Sequence, residues 1–156
     1  MTRSIRSVLL AAGLAATAGL ASAQAFDPET AQKLRESHMK LMGAHLGVIG
    51  NMAKGETEYD ADIAAASAET LAALASGADG NYWVEGSSSE DLADSRALPA
   101  IWEKRDDFDA KADALAQAAM AMRDAAGTDL AALQGAMGGL GRACGDCHEA
   151  YRKPEE

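Results

Sequence analysis

Both cysteines of the chain fall inside one five-residue string near the C-terminus, Cys144-Gly145-Asp146-Cys147-His148. Cysteine is therefore not available to staple distant segments, and the fold has to be held by packing. A C-x-x-C-H string reads as a c-type haem attachment site. Two thiols meet the two vinyl groups on one porphyrin edge while an imidazole reaches the iron. Helical geometry supplies this arrangement, since Cys144 and His148 are four residues apart and share a face, with Cys147 beside them. The alternatives are poorer. A thioredoxin-like pair needs a preceding strand in a βαβ unit, zinc needs a fourth ligand where no second Cys/His cluster exists, and a disulfide between the two cysteines is what remains. The sequence thus predicts one covalent haem c per chain, on Cys144 and Cys147, with His148 as axial iron ligand.

The N-terminus combines Arg3 and Arg6 with an apolar run from Val8 to Leu20 and the small-residue triplet Ala21-Ser22-Ala23. This is the pattern of a secretory signal peptide over residues 1–23, expected to be cleaved on export to the periplasm. The apolar run is too short to span a bilayer comfortably, and no later segment is long and uncharged enough to do so. Residues 24–156 are one domain's worth of chain. Removing Arg3 and Arg6 from a net charge of −10 leaves −12, a surface that repels phosphate backbones and anionic lipid. Nucleic-acid and membrane partners are not expected.

Four helical segments follow. Asp27-Pro28-Glu29 reads as an N-cap with proline at the first helical position, opening a helix that runs to Lys54-Gly55. Asp60 opens an Ala-rich second helix, closed by a left-handed Gly77. Residues 77–98 hold three glycines and the run Ser87-Ser88-Ser89, a long loop of the kind that is usually functional. Pro99 starts a third helix, with Ile101, Phe108, Ala112, Leu115, Ala119 and Met122 at near-helical spacing, ending at Gly127. Thr128 caps a fourth, which ends near Lys153-Pro154. With no alternating apolar runs, the fold class is all-α: an antiparallel four-helix bundle with the haem near the C-terminus.

The fourth helix carries Gly135, Gly138, Gly139, Gly141 and Gly145, each costing about 0.8–1 kcal/mol relative to Ala in a helix interior. Either a flat macrocycle lies against this bare backbone, or the glycines mark close helix packing or a frayed helix start. On the first helix Arg35, Met39, Met42, Leu46 and Ile49 form one stripe, charged only at its N-terminal end. It suits a haem whose propionates point toward Arg35, although Met39 and Met42 are equally able to serve as ordinary core.

The whole sequence after the signal peptide resembles the cytochrome c′ family of class II c-type cytochromes. The resemblance rests on Gly138-x-x-Gly141-x-x-Cys144-x-x-Cys147-His148-x-x-Tyr151-Arg152 and on Arg35-Glu36-x-x-Met39-x-x-Met42-Gly43. The loop Trp83-Val84-Glu85-Gly86-Ser87-Ser88 and the segment Ile101-Trp102 to Asp107-Phe108 also fit. Gly145 departs from it, since the family commonly has lysine there. The resemblance implies haem contacts from Arg35, Glu36, Met39, Ser87 and Ser88, with Arg35 near a propionate and Met39 over the iron. It also implies a five-coordinate, high-spin centre that Met39 shields without binding. The related six-coordinate members use a methionine from this helix as ligand and act purely as electron carriers.

Two functions are expected from the site, binding of small gases (nitric oxide, carbon monoxide) and electron transfer with redox partners the sequence does not identify. No distal acid/base pair is placed to activate peroxide, so an enzyme is not expected. Leu34, Leu41, Val48, Ile63 and Leu71, on the sides of the first two helices away from the haem, predict a homodimer.

Overall fold

The computed structural model describes residues 25–78 and 80–154; the signal-peptide segment lies outside them. The elements are α1 (Pro28–Lys54), α2 (Ala61–Ala75), α3 (Ala100–Glu103), α4 (Arg105–Ala126) and α5 (Leu130–Tyr151). Four long helices form the bundle, and among the described residues the only β-type pairing is a single bridge between Ala97 and Arg152. No helix among these residues is long and apolar enough to cross a membrane.

The helix ends follow local chemistry. Asp27 accepts from Thr30 N–H at 3.0 Å with Pro28 at the first position, and α1 closes on Gly55 at φ 74°, where a side chain would be strained. Asp60 caps α2 by accepting from Ile63 N–H at 2.9 Å. Its far end differs from expectation. Ser76 is the C-cap in right-handed conformation and Gly77 has no positive φ, because turn bonds from Ser76, Gly77 and Ala78 already satisfy the last carbonyls. At α5 the cap is Asp129, not Thr128: Asp129 Oδ1 accepts from Ala132 N–H at 2.8 Å, while the Thr128 hydroxyl turns back to Asp124 O.

The single helix expected from Pro99 is broken at Lys104, whose φ of −125° and ψ of 48° leave helical space. The one turn of α3 is held separately. Ile101 is buried with Phe108 and Tyr151 in a small cluster, and Trp102 Nε1 donates to Trp83 O at 3.2 Å.

Small residues let the helices approach closely in the main core, where Ala64, Ala68 and Ala119 are wholly buried alongside Ile49, Met122 and Leu133. The five α5 glycines do not admit a neighbouring helix: all are exposed, and a Cβ added to any of them would meet nothing within 4 Å. None is among the residues that line the cavity described below, and α5 runs unbroken through them. Its opposite face, with Leu133, Leu140 and Tyr151 buried, holds it in place.

Candidate haem site

One cavity of about 610 Å³ lies inside the bundle, a size typical of cofactor sites. Cys144, Cys147 and His148 of α5 line one side of it. Met39, Met42, Gly43 and Leu46 of α1, with Leu71 of α2, line the other. Most of its wall is apolar, and its rim carries Gln32, Arg35, Glu36, Lys40, Arg96, Lys111 and Arg152. Along the α1 stripe Arg35, Met42 and Ile49 are buried and Met39 and Leu46 half-buried; all but Ile49 line the cavity.

The donor set fits a covalent haem. Both thiols are free and half-buried on the cavity wall. Burial pushes the Cys144 thiol up; at Cys147 burial does the same, partly opposed by Lys111. The His148 imidazole is shifted down, first by burial and then by the positive charges of Arg152 and Arg96, so a ring lone pair is kept available for a metal. No cluster of three or more His, Cys, Asp or Glu suited to a metal ion occurs among the described residues.

The end of α5 is clamped. Leu98 N–H donates to Tyr151 O at 3.0 Å and Lys153 N–H to Arg96 O at 2.8 Å, framing the Ala97–Arg152 bridge. Arg96 adds two side-chain donors to Lys153 O, from Nε at 3.0 Å and Nη2 at 2.8 Å. Tyr151 is buried and donates its hydroxyl to Asp107 Oδ2 at 2.5 Å. The residues just after His148 are thus tied to both the loop and α4.

At the other end Arg35 is 5% exposed and holds the loop. Its Nη1 donates to Tyr82 O at 2.8 Å and Ser87 Oγ at 2.7 Å, its Nη2 to Ser87 O at 2.7 Å and Ser95 Oγ at 3.3 Å. The guanidinium also stacks over Trp83, 5.1 Å from the ring centroid. Burial lowers its pKa, with Glu36 opposing.

Of the residues expected at the site, Cys144, Cys147, His148, Arg35, Glu36 and Met39 all line the cavity. Ser87 and Ser88 do not. Ser87 is fully buried, donating to Val84 O at 2.6 Å and accepting from Arg35. Ser88 binds Asp91 Oδ2 through N–H at 3.0 Å and hydroxyl at 2.6 Å. Both hydroxyls are spent on folding the loop, so Ser95, not either of these, is the serine on the cavity wall. Glu36 sits at the exposed rim, accepting from Gln32 Nε2 at 3.1 Å and 3.7 Å from Lys40 Nζ. His38 and His45 do not line the cavity. His38 is bound instead to Leu74 O and Tyr82. Lys40, Arg96 and Lys111 are the rim cations the sequence reading missed. The only local sign of Lys111 was its place on the Phe108–Leu115 face of the third helical pattern, and Arg96 had none.

Comparison with known proteins agrees with this geometry. The family model described as Cytochrome C' matches residues 30–152. The chain is 52% identical over 121 residues to cytochrome c-554 of Cereibacter sphaeroides, covering 78% of this chain and 79% of that one. It is 36% identical over 148 residues to cytochrome c' of the same organism, covering 95% and 98%. Among solved structures, cytochrome c' from Rhodobacter spheriodes superposes with a TM-score of 0.80 at 33% identity, covering 83% of this chain and 100% of that one. A nitric oxide complex of a cytochrome c prime variant from Alcaligenes xylosoxidans has a TM-score of 0.73 at 32% identity, covering 82% and 98%. A carbon monoxide-bound variant of the same protein gives the same four values. The bundle, the cavity and the paired cysteines on its wall together place this chain in the cytochrome c' family of haem c proteins.

Proposed function

We propose that residues 24–156, freed of the segment 1–23 on export, act in the periplasm as a c-type cytochrome with a five-coordinate, high-spin haem. Cys144 and Cys147 hold the haem, and His148 is its axial ligand. The haem, when bound, supplies a redox-active iron and a coordination position for a small diatomic gas. Met39 stands over that position and sets access by its bulk, Met42 and Leu46 keep the surroundings apolar, and Arg35 offers its remaining N–H toward a propionate. Met39, Met42 and Leu46 offer no hydrogen-bond donor on their side of the cavity, which penalises dioxygen more than nitric oxide or carbon monoxide. The relatives solved with nitric oxide and carbon monoxide bound support gas binding as the role of the same pocket here. Electron exchange with a redox partner is compatible with the same site; the chain acts as a binder and carrier rather than as an enzyme. Two copies pair through exposed residues of α1 and α2, described below.

The observation that carries this reading is that Met39 and His148 line one cavity from different helices. A second reading has its own support, because a thioether at Met39 is itself a competent iron ligand and the 52% identical relative is a cytochrome c-554, not a cytochrome c'. In that case the centre is low-spin and carries electrons only. The spectrum of the reduced protein separates the two. A high-spin spectrum, carbon monoxide binding, and faster binding in Met39→Ala with an unchanged ligand-free spectrum are expected. A low-spin spectrum that Met39→Ala turns high-spin would select the second reading.

A further inference from the structure

Among the described residues, Gly43 is the only glycine that borders the cavity, and it is exposed to solvent at the same time. A glycine inside a helix weakens it, and the usual reasons for accepting that cost are missing here. Gly43 has no positive φ, and a Cβ built on it would meet nothing within 4 Å. What the residue supplies is open space between the cavity and the surface. Gly47, one turn on, is equally exposed and equally free of neighbours, but it does not border the cavity.

The packing of α1 against α5 shows where that space leads. At one end the two helices are joined. Gln134 Nε2 donates to Ala53 O at 2.8 Å, and the Met137 methyl lies 3.8 Å from where a Cβ on Gly50 would stand. Continuing that register along two antiparallel helices brings Gly43 opposite Cys144 and Met39 opposite His148, and all four line the cavity. Side chains on a helix lean toward its N-terminus, so a side chain at position 43 would reach over the turn that carries Met39. The neighbouring rim positions Glu36 and Lys40 are exposed too, but both carry long side chains. Gly43 is thus the bare point of the α1 rim, one turn from the residue that faces the axial histidine. Leu34, Leu41 and Val48 point roughly the other way around α1, so two copies paired through them leave Gly43 uncovered.

We propose that Gly43 is the port through which a small uncharged ligand reaches the sixth position of the haem iron, and that its missing side chain sets the rate of entry. The proposal rests on the haem reading above, in which Met39 screens that position; Gly43 governs the way in to the screen. The apolar Met42 and Leu46 behind the port disfavour a charged ligand, which would shed its hydration without gaining a partner. A port acts on the barrier and not on the bound state. Filling it therefore slows entry and exit by the same factor and leaves the affinity as it was.

The test measures carbon monoxide association and dissociation on the reduced holoprotein by stopped flow. Gly43→Leu should slow both rates about three- to tenfold, the factor for a side chain that must leave its preferred rotamer to let the ligand pass, with an unchanged dissociation constant. If that variant does not fold, Gly43→Met, unbranched and a good helix former, takes its place with the same expectation. Gly47→Leu is the control and should keep both rates at the parent's values. The same set is made in a Met39→Ala background, whose sixth position is open whether or not Met39 binds iron. A low-spin parent then refutes the earlier reading, while the port is still measured in that background. In a high-spin parent, methyl iodide gives a second readout: methylation of the Met39 thioether, followed by peptide mass spectrometry, should slow in Gly43→Leu and not in Gly47→Leu. Rates in Gly43→Leu within about twofold of the parent's, equal slowing in Gly47→Leu, an affinity weakened through association alone, or Met39 methylation that Gly43→Leu does not slow would each overturn the proposal.

Discussion

Arg35→Ala tests whether the long loop is held by one buried guanidinium. Hydrogen bonds from a charged donor contribute about 1.5–3 kcal/mol each, so the two to the carbonyls of Tyr82 and Ser87 contribute about 3–6 kcal/mol together. The serine hydroxyls lose less. Ser87 Oγ still donates to Val84 O and Ser95 Oγ to Ser87 O, so neither hydroxyl is stranded. Against the loss stands the relief of desolvating a guanidinium that is 5% exposed, a penalty of several kcal/mol for a fully buried ion and less for one this well bonded. The expected net destabilisation is about 2–4 kcal/mol. Arg35→Lys should recover little of it, because an ammonium cannot serve two carbonyls and two hydroxyls in one plane. Urea unfolding followed by circular dichroism measures the loss. Hydrogen exchange should show protection falling in residues 82–98 while α4 stays protected. A loss below about 0.5 kcal/mol, the range of ordinary surface substitutions, or a lysine variant as stable as the parent, would refute the argument.

Leu133→Ala, at a site with no exposure, should cost about 2–5 kcal/mol in the same assay. Tyr151 has a folded pKa raised to about 12 from an ordinary 10.0, so its stabilisation is fully present below pH 10 and lost as pH rises toward 12; Tyr151→Phe should flatten that alkaline fall in urea midpoint. Asp91 is held below its ordinary carboxylate value by Ser88, so its contribution is present above that value and lost as pH falls below it; Asp91→Ala should remove part of the acid destabilisation seen by the same measurement. Leu34, Leu41 and Val48 recur every seventh residue on the exposed face of α1, and Ile63 of α2 is exposed as well. Sedimentation at tens of micromolar should therefore give a dimer for the parent and a monomer for Leu41→Lys.

The helices were legible because their signals are local. Asp27, Asp60 and Gly55 each act within one turn of their own position, and the α1 stripe needs only a helical period. The haem motif was legible for the same reason, since Cys144, Cys147 and His148 are brought together by one helix. What was not legible depended on partners far along the chain. Nothing near Leu71 distinguishes it from Ile63, yet Leu71 is 2% exposed against the core and Ile63 is 51% exposed, which removes Leu71 from the expected dimer face. The glycines of α5 signalled close approach only because their cost implies compensation; that compensation comes from the opposite face of the helix. Ser87 and Ser88 stood in the right loop, but which serine faces the cavity is set by Arg35, some fifty residues earlier.

That loop explains how a bundle with little contact between α1 and α5 can hold a precise site between them. Arg35 fixes Ser87 and Ser95; Ser95 precedes Arg96 and Ala97, which pair with Tyr151, Arg152 and Lys153; and these follow His148 directly. The α1 side of the cavity is thereby connected to the axial-histidine side through irregular backbone and not through the helical core. Because the bonds along this path are buried or doubly made, a change at Arg35 should be felt at the end of α5 even though the two helices pack mainly against others. The residues at both ends are positively charged, and their charge acts on the same cavity: Arg35 at one end, Arg96 and Arg152 at the other, where they add to burial in lowering the His148 pKa. In a chain of net charge −10, concentrating cations at this rim gives the cavity a local field opposite to that of the remaining surface, one that favours an anionic cofactor edge at the rim and a neutral ligand within.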